Sequence, residues 1–177
     1  PGPTSDPVPP STTPPKFRCS ALSAPWTLTF RNVSAPAVNM STASSGSNVA
    51  LASAGALASA SSTYSPSASF AASSINNNER AGANWGNGGG WIDATPNAFP
   101  DWVEIVFNGQ KTIDRAVVYS VQDNYTNPVE PSDAQAFSVF GVTSFTVDGW
   151  NGSAWITLAT VTGNNLVKRT VTFSAFT

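Results

Sequence analysis

No ten-residue stretch of this chain spaces its apolar side chains at a helical period. They alternate instead. Residues 102–107 read WVEIVF, with Val103, Ile105 and Phe107 on one face, the two-residue period of a half-buried strand. Asn108, Gly109 and Gln110 turn the chain, and residues 112–122 continue with Ile113, Val117, Tyr119 and Val121 on one side. Residues 144–150 and 153–161 flank Asn151 and Gly152, a pair that predicts a tight type I′ hairpin because both residues accept positive φ. Residues 166–173 supply a further strand, and NVALA and ALASASSTYS alternate with small side chains before them. Short strands joined by long loops predict an all-β sandwich or barrel.

The chain divides by composition. Residues 1–15, PGPTSDPVPPSTTPP, have almost nothing to bury and read as an extended Pro/Ser/Thr-rich linker. Residues 16–47 form an extension. Within it WTLTF, at 26–30, alternates, but Pro25 and Pro36 bracket it, so it reads as an edge strand at best. The remaining 48–177 is the β domain. Charged residues make up only 10% of the 177, replaced by Ser, Thr, Asn and Gly, and the net charge is -2. That balance gives no electrostatic case for nucleic acid or an anionic membrane, and no apolar run approaches the ~20 residues of a membrane span. The chain opens on Pro1, the expectation for a processed product or a fragment whose signal peptide is already gone. A secreted or cell-surface location is expected, where sequons at Asn32, Asn39, Asn124 and Asn151 are glycosylated if the pathway exists.

Missing residue types exclude chemistries. With no histidine there is no Ser-His-Asp triad and no imidazole ligand, and the single Cys19 rules out an internal disulfide framework and a cysteine zinc site. A glycosidase needs two carboxylates about 5–9.5 Å apart. Asp93, Asp101, Asp123 and Glu130 are available, but nothing marks one of them as a buried acid, so no catalysis is expected.

Two loops carry the candidates for binding. Residues 84–102, NWGNGGGWIDATPNAFPDW, hold three of the six tryptophans around a run of glycines. Gly86, Gly88, Gly89 and Gly90 allow positive φ and close backbone approach, which lets Trp85 and Trp91 present ring faces. Such faces stack on sugar C–H groups, while nearby Arg80, Asp93 and other polar groups bond hydroxyls. The alternative is that both indoles pack beneath their own loop, with Asp93 and Asp101 capping turns next to proline. Trp102, at the start of a strand, reads as core. Residues 122–137, QDNYTNPVEPSDAQAF, form the second loop, longer than a connection needs. Asp123, Asn124, Tyr125 and Glu130 are its candidates for sugar or cation. The alternative is a solvated acidic loop stiffened by Pro128 and Pro131.

Taken in order, NVALASAGALASASSTYS, INNNERAGANWGNGGGWIDAT, FPDWVEIVF, KTIDRAVVYSVQDN and FTVDGWNGSAWITLATVTGNN resemble a discoidin, or coagulation-factor type C, domain. They are most similar to bacterial galactose-binding-like carbohydrate-binding modules. The resemblance spans about 48–173. It implies a galactose-binding-like jelly-roll β-sandwich with ligand loops at one end, a non-catalytic hold on glycans or polysaccharide, and a structural Ca2+. Relatives commonly show an Asn-Gly-Asp-Arg-like turn where this chain has NNER, so Asn77 and Glu79 become the implied calcium ligands. Their oxygens suit a hard cation. Relatives also continue past TVTF with another strand pair, whereas this chain stops at Thr177. A sandwich lacking its last strands leaves an open edge for strand addition. The alternative function is therefore a structural or adhesin subunit, with residues 16–47 as donor strand in cis, or in trans to a second copy or neighbouring module.

Overall fold

The computed structural model describes residues 16–21, 28–31, 46–65, 68–95 and 98–177. The linker 1–15, residues 26–27 of WTLTF, and Asn32 and Asn39 lie outside the described residues. Among the described residues eight strands form two antiparallel sheets, and the only helical turns are 3-10 pieces at Ala52–Ala54 and Ala72–Ile75. In chain order the strands are β1 (Lys16–Ala21), β2 (Leu28–Arg31), β3 (Leu57–Ala60), β4 (Asp101–Val106), β5 (Ile113–Ser120), β6 (Phe145–Trp150), β7 (Trp155–Val161) and β8 (Lys168–Phe176). One sheet runs β3-β4-β1-β6-β7, and the other runs β2-β5-β8. The all-β expectation therefore holds. No helix among the described residues is long and apolar enough to cross a membrane.

Alternation sets the core. On β1, Phe17 and Cys19 point inward while Lys16 and Arg18 do not. On β4 the predicted face, Val103, Ile105 and Phe107, is buried as expected. Phe17 bridges the sheets, with ring centroids 5.4 Å from Phe107, 6.3 Å from Phe173 and 5.8 Å from Phe176. Each such aromatic pair adds about 0.5–1.5 kcal/mol beyond area burial. Burial pushes the Cys19 thiol pKa well above its usual value, and the Asp148 charge adds to this, so the thiol stays protonated and inert.

Three expectations change. The extension contributes more than an edge: β1 lies inside the five-stranded sheet, paired with β4 on one side and β6 on the other. β2, which overlaps WTLTF, is an edge strand beside β5, as its flanking prolines predict. On β5, Ile113, Val117 and Tyr119 are buried as expected and Val121 lies past the strand's end, but the pairing with β8 shifts register between Ile113 and Arg115. The extra residues lie on β8, where the step from Phe176 to Thr172 matches the shorter one from Ile113 to Arg115, and beyond it β5 is buried on both faces, so that Ala116 and Val118 join Ile113 in the core cluster. The third change is the β6–β7 turn. Trp150 pairs with Trp155, which leaves four loop residues rather than two. Asn151 has no positive φ; its Oδ1 accepts Ser153 N–H at 2.9 Å and Ala154 N–H at 2.8 Å, closing an Asx-type turn in which only Gly152 is left-handed.

Candidate functional site

The connections after the second 3-10 turn and after β5 meet at one end of the sheets. The first begins at Asn77. Its Oδ1 accepts the Glu79 N–H at 2.8 Å, and its Nδ2 donates to the Gly88 carbonyl at 2.8 Å. Glu79 Oε1 in turn accepts the N–H groups of Ala81 (2.7 Å) and Gly82 (3.0 Å). The turn is thus closed by protein donors. Asn77 Oδ1 and Glu79 Oε1, on the two residues named for calcium, accept backbone N–H groups, bonds that close the turn without needing a cation. No group of three acidic, histidine or cysteine side chains that could hold a metal occurs among the described residues.

The glycine run then folds back on itself. Gly89 N–H donates to Asn84 O at 2.9 Å, and a Cβ at Gly89 would lie 2.4 Å from the Asn84 carbonyl carbon, so only glycine fits there. This hairpin holds Trp85 half-buried, its ring 5.4 Å from Phe70 and edge-on to it; Phe70 packs likewise on Tyr64 at 5.8 Å.

Gln122, only 1% exposed, fastens the second loop to the first. Its amide nitrogen, Nε2, donates to the carbonyls of Ala81 and Val129, and its Oε1 accepts Val129 N–H and the Gln135 amide. Sequence reading passed over this residue; its signal was a lone amide at the end of an apolar strand, just before a long polar loop. Between the two loops lies a shallow cleft lined by Arg80, Gly82, Trp85, Ser120 and Tyr125, among others. Tyr125 is 44% exposed and leans on Phe140 with centroids 5.5 Å apart. Arg80 Nη2 contacts Glu130 Oε1 at 2.7 Å across the same opening.

The other candidates go elsewhere. Trp91 is 2% exposed and joins the core, its Nε1 donating to Ser62 O at 2.8 Å, so it presents no ring face to a ligand. Asp93 is buried as well, and its Oδ1 accepts Thr95 N–H at 2.7 Å in a turn. Thr95 Oγ1 also lies 3.4 Å from Asp101, another buried carboxylate. Burial raises the Asp101 pKa above the usual range; the Ser61 hydrogen bond opposes this, the Asp93 charge adds to it, and Thr95 opposes it again. Asp123 accepts Ser138 N–H and Oγ–H on one oxygen and Val139 and Phe140 N–H on the other. Desolvation pushes its carboxyl up, but these bonds from Phe140, Val139 and Ser138 outweigh it and hold the pKa at about 2. Asn124 is exposed and donates to Asn127 O at 2.6 Å. Asp123 and Asn124 therefore shape the loop rather than line the cleft. The four carboxylates do not gather: Asp93 and Asp101 share Thr95, while Asp123 and Glu130 have the separate partners above.

A second aromatic group, unforeseen from sequence, lies on the outer face of the five-stranded sheet. The Arg18 guanidinium sits 4.3 Å from the Trp102 ring centre and 4.4 Å from that of Trp155. Glu104 binds Arg18 at 3.2 Å and Lys16 at 3.5 Å. Trp102 is thus half-buried on the outer face, not in the core. No family model, curated protein or solved structure matches this chain.

Proposed function

We propose that this chain is a non-catalytic glycan-binding module of a secreted or cell-surface protein, built on a galactose-binding-like jelly roll, and that it holds its ligand in the cleft between the two loops. One observation carries the reading: connections far apart in sequence bring two aromatic rings, Trp85 and Tyr125, and one guanidinium, Arg80, to a single opening. A half-exposed ring beside a few fixed polar donors matches the chemistry of sugar recognition. The motif order supports the same family of folds. The residues that do not line the cleft, Trp91, Asp93 and Asp123, have structural partners that account for them. The test is a glycan array probed with the native chain and with Trp85→Ala. Trp85→Ala should weaken binding by about 1–3 kcal/mol, the range for one stacked aromatic, with folding retained. An array on which both proteins behave alike would remove the cleft as the site.

The structural-subunit reading keeps one supporting observation. The edge strands β3 and β7 expose Leu57 (70%) and Ile156 (41%), apolar side chains at sheet edges unpaired among the described residues. Light scattering at micromolar concentration separates the readings: an oligomer that dissociates in Leu57→Lys would favour assembly.

A further inference from the structure

The cleft has a charge arrangement that selects among glycans. Arg80 is the cation on its lining, and its partner Glu130 has 60% of its side chain exposed. Lys168 lies close enough to feel the Arg80 charge and is held at 2.7 Å by Asp133, whose side chain is 82% exposed. Among the described residues, two neighbouring cations are therefore paired with wet carboxylates, and both carboxylates come from the single loop that also carries Tyr125. An ion pair this exposed contributes little, so another carboxylate can displace it. Arg18 differs: its carboxylate partner, Glu104, is only 8% exposed.

Resting on the glycan-binding reading, we propose that the ligand of this cleft is an acidic sugar, a uronic or sialic acid, whose carboxylate takes the place of Glu130 on Arg80. The guanidinium fork suits a planar carboxylate, which it binds by two parallel charge-assisted hydrogen bonds, while Trp85 and Tyr125 receive the apolar face of the ring. A neutral sugar offers Arg80 only hydroxyls, which compete poorly with Glu130. Glu130 thus acts as a built-in competitor that holds down the affinity for acid.

Calorimetric titration of the intact chain tests this with matched probes: trigalacturonic acid against its methyl ester, and sialyllactose against lactose. The carboxylate member of at least one pair should bind about tenfold more tightly, the margin of one charge-assisted over one neutral hydrogen bond. The galacturonate and sialyl arms separate the two sources of acid. Arg80→Gln should abolish the preference at an unchanged melting temperature. Glu130→Gln should widen it several-fold, and rising salt should narrow it. Trp85→Ala should weaken acid and ester together. Equal binding of acid and ester, with Trp85→Ala weakening both, would overturn the carboxylate inference and leave the glycan cleft standing. A preference that survives Arg80→Gln, or a Glu130→Gln variant no more selective than the native chain, would also overturn it. Silence with every probe and across the glycan array would remove the binding reading itself.

Discussion

Two regions of this molecule combine indole rings with an arginine, and they use the combination in opposite ways. On the outer face of the five-stranded sheet, Arg18 fills the space between Trp102 and Trp155, and Glu104 holds it from within the same sheet. Rings, cation and counter-charge are all supplied by paired strands, so the group is closed. At the loop end, Trp85 and Tyr125 line an opening, and Arg80 is held only by an exposed glutamate. The residue types alone do not mark a site. What separates the two regions is whether the polar partners are internal and desolvated or wet and replaceable.

The comparison is sharpest at Trp91, the indole that shares a loop with Trp85 but lies in the core. Trp91→Ala should cost about 3–5 kcal/mol, read as a fall in the urea midpoint. A variant that stays fully stable while losing ligand would place Trp91 with Trp85 and break the division drawn here. Next in size is Arg18→Ala, which removes two cation–π contacts and leaves the buried Glu104 with Lys16 alone. A loss of about 2–3 kcal/mol is expected, with glycan binding at the loop end unchanged. Binding lost without destabilisation would make the sheet face a site after all.

A smaller effect belongs to Asp123. Its folded pKa of about 2 lies below the usual 3.8, so its contribution is complete above about pH 4 and is lost as pH falls towards 2. Because the group is partly solvated, the loss in Asp123→Asn should be about 1 kcal/mol at neutral pH, and the stability of the variant should fall less steeply than that of the native chain between pH 4 and pH 2. The smallest expected effect is from a chelator. With Asn77 Oδ1 and Glu79 Oε1 accepting backbone N–H groups, EDTA should leave the melting temperature unchanged. A drop of several degrees would show a cation ordering the loop end, and the contrast with the sheet face would then include a metal.

Local pattern was enough for much of this protein. The strict alternation of Val103, Ile105 and Phe107 named the buried face of β4, and the glycine run from Gly86 to Gly90 marked a hairpin that only glycine can close. Three of the proposed ligand residues, Arg80, Trp85 and Tyr125, do meet at one cleft. The missed features share a cause. Phe17 and Cys19 alternate on β1, yet their central place depends on β4 and β6, which lie far along the chain. On β5 the alternation named Val117 and Tyr119, but burial extends to Ala116 and Val118 as well, because both faces of the strand are covered. Trp85, Trp91 and Trp102 look alike in sequence, set among the same glycines, asparagines and prolines. Their separate fates follow from what the fold puts against them: an open cleft, the Ser62 carbonyl and the core, and the Arg18 guanidinium. Side-chain period is a property of neighbouring residues and is legible in the sequence. Burial and charge pairing are properties of distant partners, and only the tertiary structure brings those together.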